Sequence, residues 1–190
     1  MPLTLGSLTW LRAVDHPGLL AGPTAAALAA WVAADPSVAE QVRVAEIDPG
    51  LADTAAMTEA YALPLAASGN CVLVAGRRAG AEKVAAAVVR ATTRADVNNA
   101  VKHLLDVRKA SFLPMDRAVE ESGMEYGGIT PLGLPAGYRV LVDARIVADD
   151  PEAGGVMIIG SGLRRSKIAL PGSLLGRAPG VEVVDGLALP

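Results

Sequence analysis

An α+β fold is predicted for this chain, and three observations support the prediction. Apolar runs of strand length occur at 71–75 and 84–90. Amphipathic helical stretches are interleaved with such runs, and one of them places Val97, Val101 and Leu105 on a single face. The 190 residues are 52% hydrophobic but only 3% aromatic, so a substantial core must be built from small aliphatic side chains.

The first part of the chain is predicted to contain one helix and one strand. The alanine-rich stretch 25–34 has high helix propensity and stops just before Pro36. Residues 42–47 alternate apolar and polar side chains, as in a strand, and a turn sequence follows them. We therefore divide the chain into a helix–strand extension, 1–50, packed on a single globular domain, 51–190.

Further elements follow in order along the rest of the chain. They are a helix capped by Asp53 and running to Tyr61, a hairpin of strands 71–75 and 84–90 around an exposed turn at 76–80, a helix from Asp96, and a helix over 114–122. Gly123 suits the position after the end of that last helix.

The segment 123–133, Gly-Met-Glu-Tyr-Gly-Gly-Ile-Thr-Pro-Leu-Gly, is the most informative part of the sequence. Gly127 and Gly128 allow positive φ angles and close approach of another backbone or a ligand. Pro131 fixes its own φ and biases Thr130 toward an extended conformation. The segment is predicted to be a rigid, shaped loop, which serves either as a tight connection or as part of a binding site.

Downstream of this loop come a strand ending in Val142-Asp143, a strand ending in Gly160-Ser161-Gly162, and a strand beginning at Lys167. This ordered set resembles the YbaK/EbsC family, the aminoacyl-tRNA editing domain that is also inserted in bacterial prolyl-tRNA synthetases. The resemblance is clearest from about residue 97 to 184. It implies a mixed, strongly curved, barrel-like sheet surrounded by helices, and hydrolysis of the ester of a mischarged aminoacyl-tRNA without a metal or organic cofactor.

The resemblance also implies a site made by the two glycine loops and the start of the strand at 71. The residues matched as catalytic are Gly127, Gly128 and Asn70. Those matched as substrate-binding are Ile129, Thr130, Pro131, Asp143, Gly160, Ser161 and Gly162. Arg164, Arg165 and Lys167 follow the second loop and are the candidate contacts to tRNA phosphates, although solubilising charges would look the same.

One feature departs from the family pattern. The family usually carries a lysine near the substrate at the start of the buried strand, where this chain has Asn70. Asparagine can donate a hydrogen bond and orient a water or a substrate group, but it cannot supply a cation. Whether one of the remaining lysines, Lys83, Lys102, Lys109 or Lys167, reaches the pocket is left open by the sequence.

Two classes of function therefore remain. The first is a trans-acting aminoacyl-tRNA deacylase, and the second is a catalytically silent relative that binds a small molecule, a tRNA 3′ end or a protein. The expected partner is aminoacyl-tRNA. The net charge of −3 provides no global basic field for DNA, and no apolar run suits a membrane, so we expect a cytoplasmic protein.

Overall fold

The computed structural model describes residues 4–148 and 155–190, so residues 1–3 of the predicted extension lie outside the described residues. The strands are β1 (Thr4–Leu5), β2 (Leu8–Thr9), β3 (Leu11–Arg12), β4 (Arg43–Glu46), β5 (Gly69–Arg78), β6 (Ala81–Arg90), β7 (Arg94–Ala95), β8 (Ala110–Phe112), β9 (Tyr138–Asp143), β10 (Val156–Gly160), β11 (Ser166–Pro171), β12 (Val181–Val184) and β13 (Ala188–Leu189). The α-helices are α1 (Gly22–Ala34), α2 (Val38–Gln41), α3 (Thr54–Ala60), α4 (Lys102–Leu105), α5 (Met115–Ser122), α6 (Ala144–Val147) and α7 (Gly172–Leu175).

Two larger sheets organise the fold. One has five strands in the order β12-β9-β6-β5-β8 and is mixed, because β6, β9 and β12 are parallel whereas β5 and β8 pair antiparallel. The other has four antiparallel strands in the order β10-β11-β4-β3. The predicted α+β class with a mixed sheet is confirmed.

The predicted barrel-like curvature is not supported. Where the two sheets approach each other, a single isolated bridge joins Ser68 to Ile158, and no ladder follows it in the described part of the chain. The start of β5 borders a cavity just beyond this bridge instead of extending the pairing. Both sheets therefore remain open.

The N-terminal segment contributes directly to the second sheet. Strand β4 lies between β11 and β3, and α1 buries Leu28 and Trp31 against the surrounding core. The predicted helix at 25–34 and the predicted strand at 42–47 are both present. The division into 1–50 and 51–190 stays a prediction.

Three helices begin or end where their cap residues predict. The Asp53 carboxylate accepts a hydrogen bond from Ala55 N–H, 3.0 Å away, at the start of α3. Asp96 likewise accepts from Asn99 N–H at the start of a π-helical turn that leads into α4. Gly123, with φ +66°, ends α5 in the left-handed region.

The hairpin of β5 and β6 has longer strands and a tighter turn than predicted. Its turn consists of Ala79 and Gly80 alone, both with positive φ, as type I′ hairpin turns require. The prediction of a turn over 76–80 was wrong because Gly76 belongs to the strand. A Cβ at Gly76 would lie 2.5 Å from a methyl carbon of Val107, so this glycine admits a neighbouring segment.

Small aliphatic side chains fill the core, as the composition predicts. Ala85, Ala86 and Ala87 in the middle of β6 are completely buried, and the largest described side chains that are less than 2% exposed belong to leucine, isoleucine and methionine. Among residues 4–148 and 155–190, no helix combines the length and the apolar character needed to cross a membrane.

Candidate functional site

A cavity of about 470 Å³ lies between the start of β5, the end of β10 and the start of β11. Its wall is completed by the residues before and at the start of α3, by α5 and by the first glycine loop. The lining residues are Ala52, Asp53, Thr54, Gly69, Asn70, Cys71, Val72, Leu73, Phe112, Leu113, Met115, Ala118, Tyr126, Gly127, Ile129, Gly160 and Lys167. Thus Asn70 and one glycine from each loop meet at one concavity, although they are far apart in sequence.

The two glycine loops pack backbone against backbone. Gly162 N–H donates to the carbonyl oxygen of Gly128, 2.8 Å away. A Cβ at Gly160 would lie 2.2 Å from that same oxygen, and a Cβ at Gly128 would lie 2.6 Å from the carbonyl carbon of Leu163. These glycines are therefore required by the contact between the loops.

The residues at the start of α1 contact both glycine loops. Ala21 N–H donates to the carbonyl oxygen of Ser161, 3.0 Å away. Gly162 has φ +84°, and a Cβ there would lie 2.4 Å from the Cβ of Ala21. A Cβ at Gly133, at the end of the first loop, would lie 2.4 Å from the carbonyl oxygen of Pro23. The N-terminal extension thus helps to shape the site.

Lys167 is the cation of the cavity. It lies on β11 opposite Gly160, and only 7% of the residue is exposed. Its Nζ donates to the carbonyl oxygens of Ala52, 3.1 Å away, and Gly127, 3.3 Å away. The position of Lys167 after the second loop predicted a contact to tRNA, whereas the structure buries the residue in the wall of the cavity. A lysine followed directly by the apolar run Ile168-Ala-Leu170 was the available signal, since continuous apolar strands are buried on both faces.

The environment of Lys167 disfavours the charged form of its side chain. Burial lowers the pKa of its ammonium group to about 8, and the positive charge of Arg164 acts in the same direction, whereas Asp53 opposes the shift. The ammonium form still predominates at pH 7. A buried, pKa-shifted group in a cleft is a typical feature of functional sites.

This pKa predicts how stability depends on pH. Between about pH 8 and pH 10.5 the unfolded chain keeps the Lys167 proton that the folded chain has lost, so stability rises with pH in this window. Below about pH 8, the folded chain carries the full free-energy cost of burying the charged Lys167. We expect the stability of the wild type relative to Lys167→Met to increase by about 2 kcal/mol between pH 7 and pH 10. Urea unfolding of both proteins at each pH measures this, and a pH-independent difference would contradict it.

Asn70 lies at the start of β5 and lines the cavity. Its Oδ1 accepts a hydrogen bond from Thr54 Oγ1, 3.0 Å away, which fixes the amide on the cavity wall. No hydrogen bond joins its Nδ2 to another described residue, so that donor is available to a ligand. The neighbouring Cys71 is not an activated nucleophile, because burial raises the pKa of its thiol to about 12.

Several predicted site residues support the loops without lining the cavity. Ile129 does reach the cavity, whereas Thr130 and Pro131 are buried and do not line it. The Ser161 hydroxyl is completely buried and hydrogen-bonds to Ser166 Oγ, 2.8 Å away. Ser161 Oγ also accepts a hydrogen bond from Leu163 N–H, 3.2 Å away, so this side chain fixes the backbone of the second loop.

Asp143 lies elsewhere in the fold. Its carboxylate forms an ion pair with Arg145, 2.9 Å away, and accepts a hydrogen bond from Ala188 N–H, 2.8 Å away. It also caps α6 by accepting from Arg145 N–H. These contacts tie the C-terminal segment to the end of β9, and Asp143 is not among the residues that line the cavity.

The two arginines after the second loop have different surroundings. The guanidinium of Arg164 lies over the ring of Tyr126, 5.7 Å from its centroid, at the mouth of the cavity. Arg165 is exposed, donates to the carbonyl oxygen of Gly18 and pairs with Glu46 at 3.6 Å. The structure therefore places Arg164 against Tyr126, a residue that lines the cavity, whereas Arg165 contacts residues outside it.

Comparisons with solved structures show the same fold. The hypothetical protein APE2540 superposes with a TM-score of 0.69 at 18% identity, over 86% of this chain and 99% of the other. A protein proposed to be a trans-editing enzyme for prolyl-tRNA synthetase superposes with a TM-score of 0.68 at 15% identity, over 89% and 99%. A scaffold protein used for computational epitope grafting gives 0.68 at 14% identity, with the same coverage.

Sequence comparison identifies the family. No curated protein sequence matches this chain significantly. A family model, that of the aminoacyl-tRNA editing domain, matches residues 48–172, which is more than half of the chain and includes both glycine loops, Asn70 and Lys167. The resemblance noted in the sequence is thereby confirmed. The chain belongs to the aminoacyl-tRNA editing domain family.

Proposed function

We propose that the chain is a trans-acting deacylase that hydrolyses the ester bond of a mischarged aminoacyl-tRNA in the cytoplasm. The observation that carries this proposal is the buried Lys167, which provides a positive charge in the wall of the cavity where the two glycine loops meet. Membership of the editing family supports the substrate class.

In the proposed reaction, the oxygen of a water molecule bonds to the ester carbonyl carbon and the bond from that carbon to the ribose oxygen breaks. The ribose oxygen takes up a proton from the water, and the products are the free amino acid and the tRNA with its terminal hydroxyl restored. Negative charge develops on the carbonyl oxygen in the transition state. A preorganised cation or N–H donor stabilises that charge without reorganisation.

Lys167 suits this role because of how it is held. An ammonium group has three N–H donors, and two of them are fixed by the carbonyl oxygens of Ala52 and Gly127. The third is free to donate to a substrate oxygen. Lys167 on β11 therefore supplies the charge that the family usually places at the position of Asn70, and Asn70 Nδ2 provides a second, neutral donor.

The lining of the cavity also supports a class of amino acid for the proposed substrate. Lys167, Asp53, Thr54 and Asn70 form its polar part. The rest of the lining is mainly apolar and includes Cys71, Val72, Leu73, Leu113, Met115, Ala118 and Ile129. This arrangement suits a small or medium-sized uncharged side chain. Because apolar pockets discriminate by size only modestly, several such amino acids are expected as substrates.

A second candidate function is a catalytically silent binding module. The observation in its favour is that the described lining contains no histidine and that its cysteine thiol stays protonated at neutral pH. Such a protein would hold the aminoacylated end without cleaving it. Lys167 favours the enzyme, because a fixed cation in the cavity stabilises the negative charge that develops only in the transition state.

A screen of aminoacyl-tRNAs separates the two candidates. Each of a panel of tRNAs charged with a small or medium-sized uncharged amino acid is incubated with the protein, and the loss of ester is compared with buffer alone. We expect accelerated hydrolysis of at least one of them. Retention of every ester, together with binding of the charged tRNA, would favour the binding module.

Asn70→Ala is expected to lower the deacylation rate about tenfold, because one neutral hydrogen bond is removed. The loss should be smaller than the one caused by removing the charge of Lys167. Thr54→Val is the matched control, since it removes the side-chain hydrogen bond to Asn70 but leaves the Asn70 amide in the cavity. The control should reduce the rate only slightly. Equal losses in both variants would mean that Asn70 acts only through its contact with Thr54.

A further inference from the structure

The few aromatic side chains of this protein differ in their exposure to solvent. It has two tryptophans, three tyrosines and one phenylalanine. Trp10 and Trp31 are buried, and Tyr61 and Tyr138 are partly buried with hydrogen-bonded hydroxyl groups. Phe112, by contrast, is 63% exposed and Tyr126 is 58% exposed.

Both exposed aromatic residues line the cavity. Phe112 is the last residue of β8, on the edge of the five-stranded sheet, whereas Tyr126 belongs to the first glycine loop. Met115, which is 47% exposed, is also part of the lining. Two exposed rings from separate elements thus border one cavity, and a ligand that covers them would bury their apolar surface.

The charge beside these rings indicates the chemistry of that ligand. Arg164 lies over the Tyr126 ring and donates to the Tyr126 carbonyl oxygen, 3.4 Å away. Aromatic faces combined with a guanidinium group are typical of surfaces that bind single-stranded nucleic acid, since bases stack on the rings and phosphates meet the cation. An apolar peptide could pack against the rings but would have no group to pair with the Arg164 guanidinium.

We infer that Phe112 and Tyr126 form a stacking platform for the unpaired bases at the 3′ end of the substrate. The inference rests on the proposed function and adds the part of the substrate that is recognised outside the cavity. The terminal ribose ester reaches Lys167 inside, while the bases stack on the two rings and Arg164 contacts the adjoining phosphate. Specificity for a nucleotide thus resides at the mouth of the cavity.

Three esters of the same amino acid test the platform: the aminoacyl-tRNA, the aminoacyl-adenosine and the methyl ester, which has no base. Phe112→Ala and Tyr126→Ala should each lower kcat/KM about tenfold for the first two, through a higher KM, and leave the methyl ester unchanged. Phe112→Trp should retain the wild-type values. Val183→Ala is the matched control, because Val183 is 46% exposed on β12, at the opposite edge of the sheet.

Equal losses on all three esters, or no loss on any, would overturn the platform. A binding readout keeps it separate from the proposed reaction. The affinity of the wild type for a short RNA ending in the uncharged tRNA 3′ sequence should fall about tenfold in Phe112→Ala, whether or not any ester is cleaved. If the RNA binds both proteins equally, or binds neither while an apolar peptide does, the platform is refuted.

Discussion

Replacing Lys167 by methionine is expected to lower the rate of aminoacyl-tRNA hydrolysis about 100-fold, the effect of removing one main stabiliser of a developing oxyanion. The variant should nevertheless fold, and at pH 7 it should be at least as stable as the wild type, because methionine fills the space without burying a charge. Single-turnover deacylation and urea unfolding measure the two effects.

The matched control is Lys102→Met, which removes a partly exposed lysine of α4 that does not line the cavity. It should leave the rate unchanged. Lys167→Arg tests whether a positive charge alone supports hydrolysis, because arginine stays cationic but its larger, planar group does not reproduce the geometry of the ammonium group. A Lys167→Met variant as active as the wild type would remove Lys167 from the reaction.

Gly160→Ala and Gly128→Ala are expected to be strongly damaging methyl additions at the site. Each new Cβ would lie within 3 Å of backbone atoms of the opposite loop, which have no side-chain freedom to move away. We expect losses of about 3 kcal/mol in stability, at the upper end of the usual cost of overpacking, together with loss of deacylation. Thermal unfolding and the hydrolysis rate of each variant provide the measurements.

Gly137→Ala serves as the comparison, because a Cβ there meets nothing within 4 Å and its φ is not positive. It should change neither stability nor activity measurably. If Gly128→Ala and Gly160→Ala behave like Gly137→Ala, the two loops are free to separate and their contact does not shape the site.

Local chemistry in the sequence predicted much of the fold. Cap residues such as Asp53 and Gly123 mark helix ends because they satisfy backbone groups that the helix leaves unpaired. The arrangement of two sheets was harder to predict from the sequence, because it depends on pairs such as Ile168 with Val44, which are more than a hundred residues apart. Such pairings are decided by the packing of the whole domain rather than by local sequence.

The site was predicted in outline but not in its chemistry. The family resemblance matched Asn70, Gly127 and Gly160, which line one concavity, and also Gly128 and Gly162, which do not line it. It did not reveal that the glycines are needed mainly for contact between the loops, or that Lys167 enters the cavity from β11. Both depend on which backbone atoms face each other after the loops have packed. The exposure of Phe112 depends equally on tertiary structure.

The most direct test of the central claim is the pH dependence of the rate ratio between the wild type and Lys167→Met. Titration of the substrate affects both proteins equally and therefore cancels in this ratio. With a Lys167 pKa of about 8, the charged fraction falls about tenfold between pH 7 and pH 9. We predict that the ratio falls from about 100 to about 10 over this range. A ratio that rises with pH would show that the neutral amine acts as a base, and a constant ratio would show that the charge of Lys167 has no part in the reaction.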